Sequence, residues 1–218
     1  MKDLIIVGAG GFGREVAWLT ERINKKKREW NLLGFLDDGN SLKEDYNGYK
    51  VIGTTLDVNS FPNAFFACAI GAAKIRERVV TRMTTVNPSI KFATLIDPSV
   101  EMSDTVSIGE GSIICAHTIL TVNISVGRHV IVNLDCTVGH DAVIDDFVTI
   151  YPSVNVSGST SIGHAVELGT GTQIIQEKAI GQCAIVGAGS VVVKDIPDKC
   201  VAVGIPAKPI RFLVDDGV

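Results

Sequence analysis

The chain has 218 residues, 46% of them hydrophobic, with 20 basic against 24 acidic side chains and a formal net charge of −4. That length and apolar content build a sizeable core in one large or two small domains and exclude intrinsic disorder, while the slight acidity provides no broad basic surface for nucleic acid or anionic lipid. Apolar runs such as Leu4 to Val7 are far shorter than a membrane span or the core of a secretion signal, which points to a cytoplasmic protein, and five widely spaced cysteines (Cys68, Cys115, Cys136, Cys183, Cys200) with no Cys-x-x-Cys pair read as buried reduced thiols.

From Met1 to about Phe92 strand-like and helix-like segments alternate. The apolar run Leu4 to Val7 predicts a strand, and the turn Gly8-Ala9-Gly10-Gly11-Phe12-Gly13 leads into a helix with Phe12, Val16, Leu19 and Ile23 on one face. Lys25, Lys26, Lys27 and Arg28 mark a solvated helix end. Leu32 to Leu36 and Ala64 to Ile70 are further strands, and a second helix from about Lys74 sets Ile75, Val79, Met83 and Val86 on one stripe. This pattern predicts a small Rossmann-like α/β domain with a parallel sheet over residues 1–92.

After Pro98 the helical period stops and a period of six begins. Stepping by six from Ile108 to Val192 meets only aliphatic residues, fifteen in succession, a run that chance at this composition would produce roughly once in 10⁵ trials. Two positions earlier stands Val, Ser, Thr, Ala or Cys in thirteen of the fifteen units, Ile124 and Lys178 excepted, and the position after the aliphatic is Gly in seven. Every sixth residue therefore points into a narrow core, with small residues or Gly at tight corners. Three units make one triangular coil of eighteen residues, and stacked coils form a parallel β-helix over residues 93–218 without a protruding arm.

The repeats resemble those of the hexapeptide-repeat acyltransferases, which implies a left-handed β-helix and assembly as a homotrimer. Gly8-Ala9-Gly10-Gly11-Phe12-Gly13-Arg14-Glu15, Gly34-Phe35-Leu36-Asp37-Asp38, Ala69-Ile70-Gly71, Gly139-His140-Asp141 and Gly204-Ile205-Pro206-Ala207-Lys208, in that order, are similar to landmarks of the sugar acetyltransferases of that group, the sialic acid O-acetyltransferase-like proteins and the N-acetyltransferases of nucleotide-linked amino sugars. The resemblance implies transfer of an acetyl group from acetyl-CoA to an amino or hydroxyl group of a sugar, nucleotide-linked in much of the family.

Such a transfer needs a base, and histidine suits that task at neutral pH. Of His117, His129, His140 and His164, the resemblance selects His140, with Asp141 orienting it; because neighbours in a strand point to opposite sides, the pair must straddle a corner to meet. Gly158, eighteen residues on, falls at the equivalent place one coil above, where a family glycine presents its amide to the thioester oxygen. By the same resemblance Ala188 lies near the pantetheine arm and Lys208 near the phosphates of the coenzyme. In the first domain Gly10, Gly11, Phe12 and Gly13 suit backbone approach to a diphosphate at a helix N-terminus, and Asp37 and Asp38 stand where an acidic residue meets a ribose or base. Roughly ninety residues fall short of a full dinucleotide fold and no hydride-transfer site follows, so a sugar-nucleotide pocket that includes Gly71 is preferred to a nicotinamide site. Phe12, Ala72 and Thr149 depart from the family's pattern, which often has His, Asn and His there, and bear on the acceptor. Two other functions compete: a zinc-dependent β-helix hydratase, for which no His-x4-His pair or comparable cluster is present, and a non-catalytic trimeric β-helix binding protein. No metal site is expected.

Overall fold

The computed structural model describes residues 1–39 and 45–214. Strand β1 (Lys2–Val7) is followed by helix α1 (Gly11–Lys26), strands β2 (Trp30–Leu36), β3 (Asp45–Tyr46), β4 (Tyr49–Gly53) and β5 (Phe65–Cys68), helix α2 (Ala73–Val86) and strand β6 (Lys91–Phe92). They form one sheet of order β3-β4-β2-β1-β5-β6, parallel except for the antiparallel pair β3 and β4. Leu4 to Val7 are fully buried because helices cover both faces of this parallel sheet, which is why β1 reads as an unbroken apolar run.

The first helix behaves as its pattern predicts: Val16 and Leu19 are buried, and Phe12 and Ile23 pack half-buried against the same core. The second departs from it. Ile75 is 45% exposed, and the buried stripe consists of Ala73, Arg76, Val80 and Met83, with Val79 and Val86 at its margin. An arginine occupies a core position there because it reaches past the helix into the second domain.

That second domain is a three-sided β-helix of two-residue strands. One face runs from Leu95–Ile96 through Ile113–Ile114 and Thr149–Ile150 to Ile185–Val186, a second from Glu101–Met102 through Thr137–Val138 to Val191–Val192, and a third from Ser107–Ile108 through Val143–Ile144 to Ala179–Ile180. Each strand pairs in parallel with its equivalents eighteen residues away, as Ile119 does with Thr137 and Ser125 with Val143. The sixth-position aliphatics and the residues two before them, the half-exposed Lys178 excepted, point inward and fill one continuous core from Ile114 to Ala202.

The corners differ from the reading that glycine supplies the tight turn. Left-handed backbone falls two residues after the expected position and is carried mostly by other residues, among them Asn123 (φ 57°), Asp141 (φ 58°) and Ser159 (φ 55°). The glycines that follow the aliphatic residue serve stacking instead: a Cβ at Gly109 would lie 2.5 Å from the Gly127 carbonyl carbon, and one at Gly139 would lie 2.6 Å from the Gly158 nitrogen. A missing side chain is what lets successive coils approach at the corner.

The α/β domain rests on the first face, where Leu95, Ile113, Cys115 and Ile131 share a core with α1. Polar ties close the joint. Arg22 of α1 forms a paired hydrogen bond with Asp97 at 2.6 and 2.9 Å. Arg76 of α2, 1% exposed, donates to the carbonyls of His129, Phe147 and Val148 on the β-helix and to those of Ile70 and Gly71 at the end of β5. A hairpin of Cys200–Gly204 and Ala207–Phe212 continues the first face and seals the far end of the core with Cys200, Ala202 and Ala207. Cys68, Cys115, Cys136 and Cys200 are buried and Cys183 is half-buried, all as free thiols. Among the described residues no helix is long and apolar enough to cross a membrane.

Candidate active site

The corner between the second and third faces holds the predicted histidine. Val138 points into the core, Gly139 lets the next coil close over it, and His140 projects outward. The left-handed turn at Asp141 folds its side chain back, so the two neighbours meet across the corner: His140 Nδ1 lies 2.8 Å from Asp141 Oδ2. Asp141 is held below the usual carboxylate range by that hydrogen bond first, then by one from Asn123 Nδ2 to Oδ1 at 3.2 Å. Both side chains are open to solvent, 62% and 53% exposed. Gly158 stands directly above, and a Cβ there would lie 2.5 Å from His140 Nε2. Its amide makes no hydrogen bond among the described residues. A ring with one nitrogen committed to a carboxylate presents the other as a base, here beside the Gly158 backbone, whose amide can donate to an oxygen as it gains negative charge.

Two of the other three histidines are engaged elsewhere, and the third lies at a different corner. His129 is buried between Phe92 and Phe147, and burial, reinforced by Arg76, lowers it to about 4. His164 bonds Glu77 at 2.9 Å across the domain joint. His117 sits at the corner between the first and second faces, its amide donating to Ser99 Oγ.

The expected acceptor residues line the crevice at the carboxyl ends of β1, β2 and β5, on the side of the first face. Cβ atoms at Gly10 and Gly11 would meet nothing within 4 Å, so the loop's backbone is open to a ligand. At Gly13, by contrast, a Cβ would collide with the Gly8 carbonyl, so that glycine serves the close packing of α1 on its own turn. Asp37 accepts from the amides of Ala9 (2.7 Å) and Gly39 (2.9 Å), pinning the glycine loop from beneath. Asp38 accepts from the amide and hydroxyl of Thr55 and from Arg82. The Gly71 carbonyl is taken by Arg76 and by Thr149 Oγ1, so Thr149 is a buried tie in the domain joint and does not face a ligand.

The β-helix adds a wall that the sequence reading missed. Tyr151 lies against Gly71 and donates to Glu167 Oε2 at 3.0 Å, while Glu167 Oε1 accepts from the Ala73 amide at the start of α2. Burial, then the adjacent Glu167 charge, pushes Tyr151 up to about 12. No local motif marks these residues; only Tyr151's place one residue past the aliphatic Ile150 puts it at a corner.

Ala188 is exposed at the corner between the first and second faces, in the turn Gly187 to Gly189. Val203 packs over Gly187, and Lys208 pairs with Val203 across the hairpin, so Ala188 and Lys208 share one end of the prism. Thus His140, Asp141 and Gly158 come together, Ala188 and Lys208 come together on another edge, and Gly10, Gly11, Phe12, Asp37, Asp38 and Gly71 border the crevice, while Gly13 is buried beneath its loop.

Residues 3–83 match the family model of the PglD N-terminal domain. The chain is similar to the acetyltransferase domain of PglB from Neisseria gonorrhoeae FA1090, solved in complex with acetyl coenzyme A: 36% identity, 96% of this chain and 99% of that one, TM-score 0.86. It is also similar to a histidine-to-asparagine variant of perosamine N-acetyltransferase from Caulobacter crescentus, solved with CoA and GDP-perosamine, at 25% identity over 97% of this chain and 98% of that one, TM-score 0.88. Galactoside O-acetyltransferase of Escherichia coli K12 is 33% identical over 113 residues, 43% of this chain and 56% of that protein. The chain spans about a third to just over a half of the length of the first curated relatives it matches.

Proposed function

We propose that this chain, which belongs to the hexapeptide-repeat sugar acetyltransferases, moves the acetyl group of acetyl-CoA to an amino group of a nucleotide-linked sugar with His140 as general base. The carrying observation is the His140 ring, held at Nδ1 by Asp141 at 2.8 Å and packed against Gly158, so that Nε2 and the Gly158 backbone are neighbours at one corner. The acceptor nitrogen attacks the thioester carbonyl and forms the C–N bond as Nε2 takes its proton. The Gly158 N–H donates to the oxygen as it gains charge. The C–S bond then breaks, and the imidazolium returns the proton to the departing thiolate, while Asp141 stays ionised throughout.

In this proposal residues 1–92 hold the acceptor and residues 93–218 carry the transfer. The diphosphate lies on the open backbone of Gly10 and Gly11 beside Phe12, at the N-terminus of α1. Asp37 holds the glycine loop through the Ala9 amide and Asp38 is tied to Thr55 and Arg82, so both shape the place where the ribose or base rests, and Gly71 with Tyr151 closes the sugar end. Ala188 and Lys208 border the coenzyme. The crevice opens on the first face, whereas His140 stands at the opposite corner, which supports a homotrimer in which one subunit's crevice serves its neighbour's histidine. Whole-chain similarity to an amino-sugar enzyme favours nitrogen over oxygen as the acceptor atom.

The test is thiol release from acetyl-CoA with a panel of nucleotide amino sugars and free hydroxy sugars. One amino sugar is expected to be turned over, and His140→Ala to lower kcat by about 10² to 10⁴ with coenzyme binding intact. Activity kept within a factor of a few would remove His140 as the base.

A further inference from the structure

We infer that Asn123 is a positioning residue for this transfer, holding the Asp141 carboxylate in the orientation that directs His140. The inference rests on the reading of His140 as the base. Asn123 precedes Asp141 by eighteen residues and occupies the same corner one coil below. Both are left-handed, with φ of 57° and 58°, so their side chains leave the corner in the same direction and meet. Asn tolerates this conformation better than most other residues.

The contacts divide the carboxylate cleanly. Oδ2 faces His140 Nδ1 at 2.8 Å and Oδ1 accepts from Asn123 Nδ2 at 3.2 Å, so two points fix the plane of a group that water would otherwise turn freely at this exposed corner. Asn123 is anchored in turn: its backbone N–H donates to Thr105 Oγ1 at 2.8 Å, and Thr105 shares a hydrogen bond with Ser103 Oγ at 3.0 Å. Equivalent corners of three successive coils, from Ser103 and Thr105 through Asn123 to Asp141, are thus tied to one another below the ring. Which imidazole nitrogen carries the proton is set by the bond the other one makes. A steady carboxylate keeps it on Nδ1 and leaves Nε2 as acceptor, and a wrong tautomer is catalytically costly. Only a donor serves at position 123, since an acid there would set two carboxylates against each other.

Two variants of the full chain test this. Asn123→Gly removes the amide and accepts the left-handed backbone without strain, and Asn123→Asp keeps the shape but not the donor. Each is expected to lose about tenfold in kcat, the scale of one hydrogen bond to a charged group. KM for both substrates should stay within about twofold and the melting temperature near that of the parent. Long-range ¹H–¹⁵N spectra at alkaline pH, with the His140 signals assigned from His140→Ala, should show the proton moving from Nδ1 toward Nε2 in both variants. An unchanged tautomer would overturn the inference whatever the rates do, and so would a change in KM alone. A shifted tautomer in protein whose His140→Ala variant stays active would leave the Asn123 contact standing and remove the general-base reading.

Discussion

Replacing Gly158 with alanine adds one methyl group and isolates the geometry at the proposed base. The backbone there lies outside the left-handed region, so alanine meets no conformational penalty. Its Cβ, however, would lie 2.5 Å from His140 Nε2 and 2.6 Å from Cε1, where ordinary contact needs about 3.5 Å. The ring must retreat by about 1 Å. That retreat stretches the 2.8 Å bond to Asp141 past the limit of a hydrogen bond and carries Nε2 away from the corner amide. A displacement of this size costs about 10²-fold in rate when the reacting groups must be in register. The moving atoms are the free end of an exposed side chain, so stability should change by less than about 1 kcal/mol. Steady-state kinetics with saturating acceptor, alongside a thermal melt, measures both. A kcat within about threefold of the parent, with a crystal structure showing the ring in place beside the methyl group, would refute the argument that ring and amide share a reaction space.

Gly11→Asp places a carboxylate in the open mouth of the crevice without a clash; KM for a nucleotide-linked acceptor should rise by about tenfold or more while that for acetyl-CoA holds, and a negative charge in the first turn of α1 should leave the melting temperature unchanged or higher. Arg76→Met removes the guanidinium that satisfies carbonyls on both domains and should cost about 3–5 kcal/mol, read as a fall of roughly 10 °C in the melting temperature. Acid stability should fail in two stages. His129, lowered to about 4 when folded against about 6.5 unfolded, binds more protons in the unfolded chain, so its contribution of about 3 kcal/mol is complete above pH 6.5 and lost as pH falls through 4. Burial alone would raise Asp97, but hydrogen bonds from Arg22 and Ser99 outweigh it and hold the group at about 2; its contribution is present above the ordinary carboxylate value and lost as pH falls through 2. Denaturant titrations from pH 8 to below pH 2 should show His129→Phe flattening the upper stage only.

The β-helix was legible because its cause is local: an inward aliphatic every six residues is all that a two-residue strand and a corner require, and each unit from Ser107–Ile108 to Val191–Val192 forms where that period places it. In the α/β domain the same kind of pattern located β1, α1 and β2 but not the hairpin of β3 and β4. Its signal was present, an Asn47-Gly48 turn with φ of 56° and 87° between two tyrosines, in the form that favours a tight hairpin, but strands of two and five residues provide too few side chains for alternation to register. The buried stripe of α2 was misread for a different reason. Periodicity counts apolar residues, and Arg76 earns its buried place through six hydrogen bonds to oxygens that lie elsewhere in the chain.

The site divides along the same line. In a coil of eighteen residues, a sequence separation of eighteen is a spatial neighbour, so His140 implied Gly158 above it, and Asp141 equally implied Asn123 below. The second implication needed one fact that pattern alone does not supply, namely that the corner backbone is left-handed at residues other than glycine and throws both side chains outward together. Tyr151 and Glu167 obey no such rule, because their partners Gly71 and Ala73 lie in the other domain, and contact between domains follows from how two surfaces dock. In the proposed reading this wall is the part of the site where a change of substrate can arise without disturbing either repeat or motif: Tyr151→Phe, which deletes the bond to Glu167 at 3.0 Å and keeps the ring against Gly71, should alter the ranking of acceptors by KM while leaving the acetyl-CoA KM and the effect of His140→Ala as they are. An unchanged ranking across the sugar panel would place the acceptor away from this wall.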